Sequence, residues 1–170
     1  MLEKILFYTF GCGAVLTALG MITRRNAVYS AVYLVGCFCC VAGLYVLLNA
    51  QFLAAVQVIV YAGAIMVLFI FVIMLLRSDS PAEGTETISF QRIFGFVFSL
   101  ILLFQIGFIM KAVVLTAPAA EYTTEKIASI GNTELVGQLL FTKYLYPFEV
   151  VSILLLAAII GAVVLAKKKI

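Results

Sequence analysis

The sequence contains no histidine and no tryptophan, only three prolines, and charged residues at just 11% of its 170 positions. Each scarcity excludes something. Without histidine there is no His-ligated haem, zinc or copper, and no Ser-His or Cys-His nucleophile pair. A soluble domain carries about 25% charged and about 45–50% apolar residues. This chain is 65% hydrophobic, with a mean hydropathy of +1.23, which excludes both a water-soluble fold and a disordered tail. A net charge of +3 is too small and too scattered for binding nucleic acid. What remains is a polytopic membrane protein with the lipid bilayer as its solvent.

Residues 26–76 form a run of 51 positions without Asp, Glu, Lys or Arg. A helix rises about 1.5 Å per residue across a hydrocarbon core about 30 Å thick, so one crossing takes about 20 residues. The run therefore holds two spans, and Asn49, Ala50 and Gln51 mark the break between them. The same rule gives five spans, at about 5–22, 27–48, 52–76, 93–115 and 147–166. None alternates apolar and polar residues as barrel strands do, so all five are expected to be helices. The expected fold class is an all-α integral membrane protein, one membrane domain over residues 1–170. Glu3 and Lys4 make a poor basic leader, and Arg24 with Arg25 acts as a stop, so the first stretch is read as a true span.

Sidedness follows from the basic residues. Arg24, Arg25, Arg77, Arg92, Lys167, Lys168 and Lys169 share one side, and Lys4, Lys111, Lys126 and Lys143 the other. Weighted to short loops, this bias places the N-terminus outside, on the periplasmic face, and the C-terminus in the cytoplasm. Residues 77–92, with Pro81 and Gly84, read as a solvated inner linker. The outer loop 116–146 is expected to be irregular around Pro118 and Tyr122. Leu135, Leu139 and Leu140 then recur at helical spacing and predict a surface helix over 134–146, capped by Asn132 or Thr133 with Glu134 in its first turn. Pro147 suits the first turn of the last span. The chain has no internal repeat of matched, broken helices, the mark of many self-sufficient carriers.

Few residues inside the spans carry chemistry. Cys12, Cys37, Cys39 and Cys40 lack the convergent spacing of an iron–sulfur ligand set and read as small packing residues, Cys37 and Cys40 sharing a helix face. No metal site is expected. Lys111 sits near a span end and can snorkel to the interface. Glu149 admits two readings: an acid in the first turn of the last span, favoured by free N–H groups, or a carboxylate lining a hydrated path or meeting a neighbouring subunit. The third span holds Gln57, Tyr61 and Gly63 near its middle. Gln57 and Tyr61 are one turn apart on a regular helix, and Gly63 between Ala62 and Ala64 allows close helix approach or a π-bulge. By pattern alone this is a packing face with one satisfied tyrosine.

The segment QVIVYAGAIMVLFIFVIMLL (residues 57–76) resembles the third helix of the J (chain 6-type) subunit family of proton-pumping NADH:quinone oxidoreductase, respiratory complex I. The closing stretch YPFEVVSILLLAAIIGAVVLAKK (residues 146–168) resembles that family's last helix. The resemblance implies a subunit without redox centres of its own, in which NADH, FMN, iron–sulfur clusters and quinone are bound by other subunits. It implies the A, H, K and N subunits as partners in a bacterial inner membrane. It also implies a π-bulge near Tyr61 and Gly63 whose conversion to regular helix turns the helix and opens or closes a water path, coupling quinone reduction to proton pumping. On that reading Tyr61 orders water, Gly63 lets the backbone switch, and Met66 and Phe69 form an apolar gate. Some members carry glutamate where Gln57 stands, so a protonatable role at that position is in doubt here. Competing readings are a lone transporter, and a membrane subunit of another complex: a quinone reductase using ferredoxin or another donor, a membrane-bound hydrogenase or a multisubunit cation antiporter.

Overall fold

The computed structural model describes residues 1–76, 90–116 and 130–167, with side chains at all of these except 90–93 and 112–116. Among the described residues every regular element is helical, and five helices are long and apolar enough to cross a membrane. The first two are α1 (Leu2–Thr23) and α2 (Ala27–Leu47). The third span is built from α3 (Gln51–Val56), a π-helical segment (Gln57–Ile65) and α4 (Met66–Leu75). Helices α5 (Phe90–Thr116), the short α6 (Asn132–Phe141) and α7 (Leu145–Ala166) follow. The inner linker expected over 77–92 lies outside the described residues as far as residue 89, and residues 90–92 already belong to α5. The stretch around Pro118 and Tyr122 also lies outside the described residues.

Helices α1 and α2 form an antiparallel hairpin whose seam is set by glycine. A Cβ on Gly43 would meet the Phe10 ring at 2.7 Å, and one on Gly20 the Tyr33 ring at 2.8 Å. Between these layers, a Cβ on Gly13 would meet Cys40 Sγ at 3.0 Å and one on Gly36 would meet Thr17 Cγ2 at 3.4 Å. The paired positions thus run 10, 13, 17, 20 on α1 against 43, 40, 36, 33 on α2. Steps of three and four are the spacing of knobs-into-holes packing, and each layer sets a glycine against a larger side chain. In a bilayer, where lipid tails are as apolar as leucine, such close approach is what holds helices together. Cys37 Sγ also lies 3.6 Å from the Ala14 carbonyl oxygen, so the cysteines of this shared face are packing residues of the seam.

The turn between the hairpin's helices is fixed by local polar groups. Arg24 takes an extended conformation and ends α1. Asn26 Oδ1 accepts the Val28 N–H at 3.0 Å and caps α2. The Ser30 hydroxyl donates back to the Met21 carbonyl, and the Arg24 guanidinium donates to the Tyr33 hydroxyl at 3.1 Å.

The break between the second and third spans falls at Asn49 and Ala50. Asn49 sits in the left-handed region at φ 57°. The Ala50 N–H bonds the Tyr45 carbonyl at 2.9 Å and the Asn49 N–H the Val46 carbonyl at 3.1 Å. This pair of bonds is the Schellman closure of a helix C-terminus, and asparagine is the residue after glycine that tolerates its left-handed position.

The short helix expected over 134–146 runs instead from Asn132 to Phe141, and Leu145 and Tyr146 open the last span. Glu134 lies in its first turn. Gly131, at φ 95°, occupies the cap position without a side-chain bond, so neither Asn132 nor Thr133 caps this helix. Leu135 is buried, and the Phe141 ring meets Phe148 of α7 edge to face at 5.2 Å. Among the described residues only Ala31, Ala42, Ala54, Ala62, Met66, Leu135 and Gln57 are buried. The side chains described on α5, from Phe94 to Lys111, are all exposed.

Candidate functional site

The third span departs from regular helix at the residues the sequence singles out. The Gln57 N–H bonds the Leu53 and Ala54 carbonyls, as an α-helical turn requires. By Met66 the bond has slipped one residue further back, to the Tyr61 carbonyl, with Gly63 sharing it. Between these points lies the π segment, in which each turn holds an extra residue.

The consequence is visible in which residues face inward. A regular helix repeats a face at steps of three and four. The buried positions of this span are 54, 57, 62 and 66, and the step of five between 57 and 62 spans the π segment. Continued as α-helix from Gln57, the inward positions would be Tyr61 and Ile65. Here those residues are 46% and 49% exposed, whereas Ala62 is 9% and Met66 3% exposed. The π segment therefore trades Tyr61 and Ile65 for Ala62 and Met66 on the packed face.

Gly63 lies inside this winding. A Cβ at Gly63 would lie 3.2 Å from the Val58 carbonyl oxygen, five residues back. That contact is with rigid backbone, so a larger residue there pushes against the π geometry itself. Tyr61 rests its ring edge to face on Phe38 of α2, with centroids 5.7 Å apart and planes at 71°, a geometry aromatic pairs favour.

The structure brings Gln57, Tyr61, Gly63 and Met66 into one nine-to-ten-residue stretch but sorts them to different sides. Gln57 and Met66 are buried and Tyr61 is exposed, so Gln57 and Tyr61 do not form one inward face. Phe69 lies one turn beyond Met66 and is half-exposed, at the edge of the face that Met66 occupies. Gln57 is the one buried polar residue among those described. Its amide does not ionise at neutral pH, so its chemistry is confined to hydrogen bonding.

Glu149 stands apart from this stretch. It is the fifth residue of α7, beyond the first turn, and exposed, so the first-turn account of this acid does not hold. The Ser152 hydroxyl donates to its backbone carbonyl at 2.7 Å. Among the described residues no three His, Cys, Asp or Glu side chains come together as metal ligands, and Cys37 and Cys40 are engaged in the α1–α2 seam.

Three contributors were not legible from sequence: Phe38, the inward shift to Ala62, and Asn132. Asn132 Oδ1 accepts the Phe52 N–H at 3.1 Å. An aromatic residue on α2 gives no sign of its partner, and the step of five emerges only once the helix winds as π. The small residues flanking Gly63 were the available signal.

Comparison with known proteins bears on the same span. The family model described as NADH-ubiquinone/plastoquinone oxidoreductase chain 6 matches residues 17–165. The NAD(P)H-quinone oxidoreductase subunit 6 of the Paulinella chromatophora organellar chromatophore is 40% identical, covering 98% of this chain and 78% of the relative. The NAD(P)H-quinone oxidoreductase chain 6 of a Nostoc species is 36% identical over 98% of this chain and 82% of its own. An archaeal relative, the F(420)H(2) dehydrogenase subunit J of Methanosarcina mazei, is 37% identical over 98% of this chain and 92% of its own.

Proposed function

Because the chain belongs to the NADH-ubiquinone/plastoquinone oxidoreductase chain 6 family, we propose that it is a membrane subunit of a proton-translocating quinone oxidoreductase, and that its π segment couples quinone chemistry elsewhere in the complex to proton movement. The observation that carries this reading is the one-residue slip of the packed face between Gln57 and Ala62. Returning the segment to α-helix turns one half of the span against the other by about 100°, one residue's rotation. Such a turn exchanges Ala62 and Met66 for Tyr61 and Ile65 as the buried residues of the span, which is a two-state element of the kind conformational coupling uses.

In this reading the chain binds no NADH, FMN, iron–sulfur cluster or quinone; other subunits of the complex, of the A, H, K and N types, hold those groups or adjoin it. Tyr61 offers a hydroxyl to water, and Met66 and Phe69 supply the apolar barrier. Glu149, exposed on α7, is available to a hydrated path or a neighbouring subunit. The N-terminus lies outside and the C-terminus in the cytoplasm of a bacterial inner membrane. The Methanosarcina relative supports a second electron donor as an equal reading: a reduced cofactor other than NADH feeding the same kind of membrane arm.

Gly63→Leu tests the coupling role. Crowding the Val58 carbonyl costs the π form about 1–3 kcal/mol, which moves a two-register balance about 5- to 150-fold. The complex is expected to assemble and to reduce quinone, while protons moved per electron fall. Purification under mild detergent with dye-quench proton uptake in liposomes reads both. An unchanged proton-to-electron ratio in an assembled variant overturns the switch.

A further inference from the structure

The third span begins without a cap of its own. Ala50 occupies the cap position and has no side-chain oxygen to offer. The first N–H groups of a helix need acceptors, and the second or third of them is the one an N-cap side chain satisfies. Phe52 is at that position, and its N–H is met by Asn132 Oδ1 at 3.1 Å, from 80 residues further along the chain. Asn132 is the first residue of α6. The helix itself is seated by the buried Leu135 and tied to α7 through the Phe141–Phe148 pair.

Only four residues, 53–56, lie between Phe52 and the π segment. We infer that Asn132 is a positioning residue: by capping the third span from α6, it holds the α3 half against rotation, so that any change of winding at Gln57–Ile65 is taken up by α4. This rests on the coupling role proposed above. The argument is geometric. Exchanging π for α winding rotates one half of the span relative to the other, and a half that is pinned at Phe52 turns only by breaking that bond. The α4 end has no such tether among the described residues: its last residues, Leu75 and Leu76, are exposed, and the Leu76 N–H closes on Val72 within the same helix. The cap also places α6 at the same end of the molecule as the α2–α3 turn, as alternating spans require.

The test uses the protein extracted with its co-purifying subunits, carrying Asn132→Ala or Asn132→Asp, with Gly63→Leu in parallel. Aspartate keeps an acceptor oxygen at the same reach, and alanine removes it. Hydrogen–deuterium exchange of a peptide covering residues 49–56 is expected to quicken about five-fold in Asn132→Ala, the scale of losing a helix cap, and to return to the parent rate in Asn132→Asp. The proton-to-electron ratio is expected to fall in Asn132→Ala and recover in Asn132→Asp. Unchanged exchange overturns the cap, and faster exchange with an unchanged ratio shows a merely structural bond and overturns the positioning role. If Gly63→Leu lowers the ratio while Asn132→Ala does not, this inference alone fails. If neither variant lowers it, the coupling role fails as well.

Discussion

Glycine in the α1–α2 seam makes a size-graded prediction. At Gly43 an added Cβ would sit 2.7 Å from the Phe10 ring, against an optimum of about 3.5–4.0 Å between carbon atoms. Alanine there must displace the ring by about 1 Å, and overpacking of this kind costs about 1–3 kcal/mol. At Gly36, in the same seam, the nearest atom is Thr17 Cγ2 at 3.4 Å, an ordinary contact. Gly36→Ala therefore meets no clash and gains about 0.5–1 kcal/mol of helix preference. Phe10→Leu shortens the side chain that crowds position 43, so Gly43→Ala with Phe10→Leu should lose less than the two changes apart. Coupling energies between touching residues run about 0.5–3 kcal/mol. The assay is the temperature at which half of the detergent-extracted complex is lost from its size-exclusion peak. Gly43→Ala should lower it, Gly36→Ala should hold or raise it, and the double variant should recover part of the loss. Equal losses at Gly43 and Gly36 would refute the seam as the origin of the effect, since only one of the two positions is crowded.

Two further outcomes follow from local geometry. Asn49 holds φ 57° at the α2 terminus; Asn49→Gly should be neutral within about 0.5 kcal/mol, while Asn49→Val should cost about 1–3 kcal/mol from left-handed strain, read by the same thermal assay. Tyr61→Phe keeps the edge-to-face contact with Phe38 and removes only the hydroxyl, so stability should stay while proton uptake per electron falls. If uptake is also unchanged, Tyr61 is a packing ring and nothing more.

The long-range order of the protein was open to reading from sequence because it follows from solvation. Spans are counted by length and charge, and the break at Asn49 shows as a polar cluster that the Schellman closure then uses. The α1–α2 seam was not read from the sequence: its glycines at 13, 20, 36 and 43 gain meaning only once each has its partner on the facing helix. What escaped depends on tertiary neighbours. Asn132 has the composition of a local cap, yet its oxygen serves Phe52 because Ala50 leaves that N–H free. Gly63 between alanines signalled a local irregularity, but a nine-residue π segment is a property of many backbone bonds slipping together, and no single residue type records it. Glu149, read either as a first-turn acid or as a carboxylate lining a hydrated path or meeting a neighbouring subunit, is the exposed fifth residue because α7 starts two residues before Pro147.

The residues buried deepest on α2 and on the third span are, apart from Met66 and Gln57, alanines: Ala31, Ala42, Ala54 and Ala62. Alanine has no rotamers to rearrange and no branches to interlock. On its other side α2 is keyed to α1 by rings set into glycine notches. The hairpin is thus toothed where it meets α1, and toward the third span it sets the Phe38 ring edge to face against Tyr61. In the coupling proposed above, α2 is then the part held fast by α1 while the third span changes its winding against it.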